Sequence, residues 1–309
     1  MNILEPILLK ELKETDYKSL MKFRIRKILM ICSNYDAFIL EEDGQIENQI
    51  YKEYLDLNLS NPPKFLWVQT SAEAREVLNT VVGIDMVMCM HNVGDKDIFN
   101  LAADLKEERP NLPFVLLTHF SKEVYRRLAM QNTSAIDYMF SWHGNADLIV
   151  AIIKLFEDLK NSEHDITQVG VQAILLVEDN VRYYSTYLPE IYKLIIKQTG
   201  EFNKETLNIQ QRKLRKRSRP KILLATNLDD AMAMYSKYKS NLLGVISDVG
   251  FTVHKGDSPE QEKLDAGIDL VKHIKNDNPI MPILLQSSQD SISTVAEELG
   301  VGFLRKYSK

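Results

Sequence analysis

Short apolar runs of strand length alternate with stretches of helical periodicity, and the whole alternation occurs twice. In the first round the runs fall at 27–31, 64–69, 86–90, 113–118 and 135–140. In the second they fall at 173–177, 221–225, 243–247, 282–286 and 303–306. The runs are apolar on consecutive residues, so both faces of each strand need cover. Helical spacing lies between them, as in Ala72, Ala74, Val77 and Leu78, or Ile98, Leu101, Ala102 and Leu105. A longer helical stripe, Leu148, Ile149, Ile152, Ile153 and Phe156, closes the first round. Strand–helix alternation of this kind specifies a parallel sheet with helices on both faces. The expected fold class is therefore α/β, with two tandem doubly wound five-stranded sheets.

A chain of 309 residues has room for two such domains. Residues 1–23 read as an N-terminal helical segment, 24–160 as the first domain, 161–172 as a polar linker and 173–309 as the second domain. The second domain carries an insertion at about 199–219. Its last strand is followed by only three residues, whereas the first domain continues into a helix. A sheet face left without that helix needs another cover. The expected sources are a longer parent protein, the segment 1–23, or a second copy in a homodimer. The net charge of −5 gives no reason to expect nucleic acid or an anionic membrane as partner. Two cysteines make no disulfide framework, and no signal peptide is evident at the amino terminus. No stretch approaches the roughly 20 apolar residues of a membrane span, so a cytoplasmic protein is expected.

In an open parallel sheet, chemistry sits beyond the carboxyl ends of the strands, where the winding reverses. In the second round Glu178-Asp179-Asn180 follows the first strand, Asp248 the third, and Ser287-Ser288 the fourth, while Lys306 ends the fifth. Carboxylates gathered at one rim repel one another and attract a hard divalent cation such as Mg2+. A carboxylate can attack phosphorus as a nucleophile. Ser287 and Lys306 can supply donors to the phosphoryl oxygens.

On these residues the second half resembles the receiver (response-regulator, CheY-like) family of two-component signalling. Leu-Leu-Val-Glu-Asp-Asn at 175–180 is similar to the family's first-strand acidic pair, and Val-Ile-Ser-Asp at 245–248 to its phospho-acceptor strand. The stretch 267–275 with Pro279 resembles the third helix, 282–287 the strand ending in the switch hydroxyl, and 300–306 the final strand with its lysine. The resemblance implies a flavodoxin-like strand order 2-1-3-4-5 in each half. It implies phosphorylation of Asp248, with Mg2+ held by Asp179, Asp248 and the carbonyl of Gly250, and Glu178 assisting through water. Ser287 and Phe303 would form the switch pair, and Lys306 would meet the phosphoryl charge. A histidine kinase or a small phosphodonor would supply the group, a downstream effector would read it, and the chain would be a regulatory module rather than an enzyme. The sequence departs from the family at Tyr307, which replaces a proline, in the insertion 199–219, and in a long loop after Asp248.

The equivalent rim of the first half lacks this chemistry. Cys32-Ser33 stand at the acidic pair, Met90 at the acceptor, Thr118 at the switch and Ser141 at the lysine. By the same resemblance this half is a pseudo-receiver. Asp36 and Asp95 are expected on solvated segments, and Cys32 and Cys89 as small buried side chains rather than a metal pair with His91. Seven basic residues crowd positions 212–221, and the expected reading is a solvated helix end stopped by Pro220. Segments 41–44, 53–60, 219–225 and 244–248 also resemble the amino-terminal regulatory region of proteins with a phosphoenolpyruvate synthase-like domain. Two other functions fit the same residues: a non-phosphorylated docking or dimerisation scaffold of degenerate receivers, and an aspartyl phosphatase. The phosphatase would want an acid two residues beyond the nucleophile, where Gly250 stands.

Overall fold

The computed structural model describes residues 19–33, 46–57, 59, 61–91, 98–118, 133–142, 144–201, 216–257 and 259–306. Strands β1 (Lys27–Ile31), β2 (Lys64–Val68), β3 (Met86–Met90), β4 (Phe114–Thr118) and β5 (Tyr138–Ser141) form one sheet in the order β2-β1-β3-β4-β5. Strands β6 (Ala173–Val177), β7 (Lys221–Ala225), β8 (Leu242–Asp248), β9 (Ile283–Ser287) and β10 (Gly302–Arg305) form a second, in the order β7-β6-β8-β9-β10. Every pairing within both sheets is parallel. The chain thus repeats the doubly wound order 2-1-3-4-5. β5 begins three residues later than its apolar run, because Ile136 closes a turn onto the Thr133 carbonyl and Asp137 turns its carboxylate to the Phe114 N–H.

The helices are α1 (Ile46–Asp56), α2 (Ser71–Thr80), α3 (Ile98–Glu108), α4 (Ala146–Ser162), α5 (Val181–Glu201), α6 (Leu228–Tyr238), α7 (Ala266–Asp277) and α8 (Ile292–Glu298). Thr70, Asn145 and Asn227 cap α2, α4 and α6 through side-chain oxygens that accept backbone N–H groups. α1, which the strand–helix pattern did not single out, buries Ile46, Ile50 and Tyr54 at four-residue intervals.

α4 organises the molecule. Fourteen of its seventeen residues are buried, so it is enclosed on every side. It packs on α1 from the first half and on α5 and β7 from the second. One apolar cluster accordingly joins Met88, Val115 and Phe140 of the first sheet to Leu176, Ile222 and Leu224 of the second.

The segment expected as a polar linker, 161–172, is helical through Val169, and Asp165 and Ile166 are buried there. The reason is a set of partners far away in sequence. Lys221, with no exposure, pairs with Asp165 at 2.9 Å. Arg219 binds Asp158 of α4 through both terminal nitrogens at 2.8 Å each, and Asp158 also accepts from the Tyr192 hydroxyl and the Ile222 N–H at 3.0 Å. The expectation of a solvated basic helix end is thus corrected for Arg219 and Lys221, which are buried counter-ions joining β7 to α4. Arg212, Lys213 and Arg215 lie outside the described residues, as do Asp36, Asp95 and residues 1–18 of the helical segment expected at 1–23. Residues 21–26 are neither helix nor strand, so the expected helix fails at 21–23; Asp165 of the helical turn after α4, and Asn161 and Glu157 of α4, take the backbone N–H groups of Met21, Phe23 and Ile25.

β10 is the edge strand on the far side of the second sheet. Gly302, Leu304 and Arg305 are exposed, with Leu304 at 44%, so among the described residues this edge has no cover of its own. No helix among the described residues is long and apolar enough to cross a membrane.

Candidate functional site

Three carboxylates meet at the carboxyl rim of the second sheet. β6 and β8 are hydrogen-bonded neighbours, with Val177 in register with Ser247. The residues that follow each strand therefore leave the sheet side by side. Oxygens of Glu178, Asp179 and Asp248 lie within 4.8 Å of one another, the one such cluster of potential metal ligands among the described residues. Cys32 and Cys89 are each buried, in separate apolar clusters.

Lys306 reaches into the group from the end of β10. Its Nζ donates to Asp248 Oδ2 at 2.6 Å and to Glu178 Oε2 at 2.9 Å, and lies 4.1 Å from the centre of the Tyr183 ring. The Lys306 backbone N–H is held by the Ser287 carbonyl, which continues the β9–β10 ladder to the rim. Asp248 Oδ1 accepts the Val249 N–H at 2.8 Å. Asp179 has a weaker contact, with the Thr252 N–H 3.3 Å from its Oδ2, and it makes no ion pair with Lys306. The Ser287 hydroxyl oxygen accepts the Gln289 N–H at 3.1 Å, which leaves its own proton to donate. Phe303, one strand further out, is half-buried against the second core.

The electrostatics follow from this crowding. Burial is the largest influence on Glu178 and, with the charge of Asp248, pushes it from its ordinary 4.5 to about 8 against the pull of Lys306. Burial also leads for Asp179, followed by the charges of Glu262 and Asp248, and it rises to about 7. Burial works against the Lys306 charge, but Glu178 and Asp248 outweigh it and hold the ammonium above its ordinary range.

The backbone beneath Asp248 is tightly packed. Gly267, in the first turn of α7, donates its N–H to the Val249 carbonyl at 2.8 Å. A Cβ at Gly267 would stand 2.1 Å from the Asp248 carbonyl oxygen, so only glycine lets α7 approach this closely.

The rim opens into a cavity of about 910 Å³. Its second-half wall includes Asp179, Asp248, Gly250, Glu262, Ser287 and Lys306, and residues 133, 134 and 136–139 of the first half form the facing wall. Two hydrogen bonds hold the walls together. The Tyr138 hydroxyl donates to the Leu224 carbonyl at 2.9 Å, and the Tyr184 hydroxyl donates to the Met139 carbonyl. Of the seven residues expected at the site, Asp179, Asp248, Gly250, Ser287 and Lys306 line this cavity and Glu178 meets Lys306 beside it, whereas Phe303 lies apart on β10, against the second core. Tyr183, Glu262 and the first-half wall were not foreseen from sequence. Tyr183 could have been, since it lies three residues beyond Asn180 in the first turn of α5.

The donor set suits a hard divalent cation. It offers carboxylate oxygens alone, in a cavity wide enough for water, with Asp179 lacking the cationic partner that Glu178 and Asp248 have. Among the described residues the first half offers no counterpart. Met90, Thr118, Ser141 and Trp142 are buried at its rim.

Fold and rim together define a tandem doubly wound α/β chain with an acidic, lysine-bearing crevice in its second half. No protein-family profile matches the chain, and no curated protein does. Among solved structures, a signal receiver domain of an HD domain-containing protein from Pseudomonas fluorescens Pf-5 is 16% identical, with 46% of this chain and 94% of that one covered at a TM-score of 0.31. A putative two-component response regulator/GGDEF domain protein is 15% identical over 92% of this chain and 93% of its own, at 0.37. The BeF3-activated DrrB receiver domain is 16% identical over 43% and 97%, at 0.31. Likeness at such low identity and TM-score carries no weight for function, which rests on the site.

Proposed function

We propose that this chain is a signalling module whose second half accepts a phosphoryl group on Asp248. The observation that carries the reading is the convergence of Glu178, Asp179 and Asp248 with Lys306 in an open crevice. Asp248 is the nucleophile. One of its carboxylate oxygens forms the new bond to phosphorus, while the bond from phosphorus to the donor breaks and the leaving group departs with its electron pair. Asp179, Asp248 and the Gly250 carbonyl would hold Mg2+, with Glu178 acting through water. Bound there, the ion would neutralise the carboxylates and the incoming phosphoryl oxygens.

The remaining groups act on charge and shape. Lys306 already lies against Asp248 and stays with the phosphoryl oxygens as negative charge accumulates. Ser287 keeps a free proton to donate to one of those oxygens. Drawing Ser287 inward at the end of β9 alters the packing of Phe303 on β10, which changes the exposed β9–β10 edge. A phosphohistidine on a kinase or a small acyl phosphate would be the donor, and an effector binding that edge would be the reader.

Incubation with MgCl2 and acetyl phosphate, followed by intact-mass analysis, tests the reading. The wild type is expected to gain the mass of one phosphoryl group and Asp248→Asn none. An unmodified wild type, or an Asp248→Asn variant modified as fully as the wild type, defeats it.

A further inference from the structure

The Lys306 ammonium carries three N–H donors, and the carboxylates of Asp248 and Glu178 accept from it at 2.6 and 2.9 Å. Its third close neighbour is uncharged. The nitrogen lies over the ring of Tyr183, 4.1 Å from the ring centre. Lys306 is buried, so this contact is made away from water, where a ring face attracts a cation most strongly.

Tyr183 is held in place from several directions. It is the third residue of α5, and its N–H donates to the Asn180 carbonyl at 3.0 Å. The Asn180 side chain accepts the Arg182 N–H at 3.0 Å, which caps the turn directly after the acidic pair. The next two residues, Tyr184 and Ser185, are buried against the first half. The Tyr184 hydroxyl donates to the Met139 carbonyl, and the Ser185 hydroxyl oxygen accepts the Ser141 N–H at 2.9 Å. Tyr187, one turn further on, lies nearly parallel to Tyr183, with ring centres 6.0 Å apart and 13° between the planes. The ring on the cavity wall is thus fixed by a turn that β5 of the first half grips.

A ring face suits an ammonium that has to change partners. Once Asp248 is bonded to phosphorus, its carboxylate charge no longer holds Lys306. The ring attracts the ammonium through its quadrupole and sets no acceptor direction. Lys306 can therefore turn from Asp248 to a phosphoryl oxygen while keeping the ring. The ring also adds no negative charge to a crevice that already gathers three carboxylates. We propose that Tyr183 is a positioning residue of the site, whose ring face keeps the Lys306 ammonium in the crevice as the phosphoryl group arrives on Asp248. This rests on the acceptor reading above and gives the first half a part in the site, since β5 helps to fix the turn that carries the ring.

Two readouts on the full chain test it. The first is the limiting rate of modification by acetyl phosphate with MgCl2, followed by intact mass. Tyr183→Leu removes the ring face and should slow that rate by about 10-fold, whereas Tyr183→Phe keeps the face and should stay within about twofold of wild type. The second is the proton NMR signal of the Lys306 ε-methylene without any donor, assigned by its loss in Lys306→Arg. A ring face over the ammonium moves that signal upfield, so wild type and Tyr183→Phe should share the shift and Tyr183→Leu should lack it. Equal dichroism melting midpoints would show that both variants are folded. A wild-type rate in Tyr183→Leu, a Tyr183→Phe variant as slow as Tyr183→Leu, or no upfield shift in the wild type would overturn the assignment. If acetyl phosphate leaves the wild type unmodified while the shift is present and is lost in Tyr183→Leu, the ring holds Lys306 and Asp248 fails as the acceptor.

Discussion

Glu178 is fully buried at the end of β6, and its only strong counter-charge, Lys306, is shared with Asp248. Its rise to about 8, and that of Asp179 to about 7, give the folded chain an affinity for protons that the unfolded chain lacks. The sign follows from linkage. From the ordinary values of 4.5 and 3.8 up to the raised ones, the folded state binds more protons. Stability contributed by these two groups is therefore fully present below their ordinary values, and is lost as pH rises through about 7 to 8. A cation binds only the deprotonated carboxylates, so it reverses the trend. Mg2+ affinity should climb between about pH 6 and about pH 8.5 and level off above, with protons released on binding. Titrations in buffers of different ionisation enthalpy measure both. A flat affinity with no proton release would mean that the two carboxylates are already ionised in the free protein.

At the scale of elements, α4 carries a buried ionic set. Asp158 alone receives Arg219, Tyr192 and the Ile222 N–H, all without access to water. Truncating one partner of such a set strands the other charge, so Asp158→Ala should lower the unfolding free energy by about 3–5 kcal/mol in urea titrations. Replacing Asp158 and Arg219 together by leucine and methionine should recover much of the loss. A deficit under about 1 kcal/mol for Asp158→Ala would rank the set with surface ion pairs. These residues also mark where sequence reading stopped. The strands were legible because each is a run of four to seven residues, most of them apolar, and the rim carboxylates were legible because they follow those runs directly. The helical turn at 163–169 looked like linker because its charges were visible and their partner was not: Lys221 lies 56 residues beyond Asp165. Glu262 on the cavity wall was hidden for the same kind of reason, since nothing local in the loop announces the bridge between Phe251 and Lys263 beside it.

At the scale of the whole molecule, each sheet keeps a core of its own on one face and shares the core on the other. α4 and α5 lie in one layer that serves both, and a single apolar cluster runs from Met88 and Phe140 to Ile222 and Leu224. The hydrogen bonds from Tyr138 to Leu224 and from Tyr184 to Met139 cross the same boundary. Exposing one half on unfolding would strip apolar surface from the other, so the halves should unfold together. The distribution of tryptophan makes this measurable. Both tryptophans, Trp67 and Trp142, are in the first half, so their fluorescence reports on that half, whereas far-UV circular dichroism reports on the helices of both. Leu270 is fully buried in the second core, among α6, α7 and the opposite face of the second sheet, away from both tryptophans. Leu270→Ala should remove about 2–5 kcal/mol of stability by leaving a cavity there. In a single cooperative unit, the tryptophan-detected urea midpoint must fall with the dichroism midpoint and by the same amount. If the fluorescence transition stays in place while dichroism splits into two steps, the halves are independent, and a phosphoryl group on Asp248 would have no route through the shared helices to the first half.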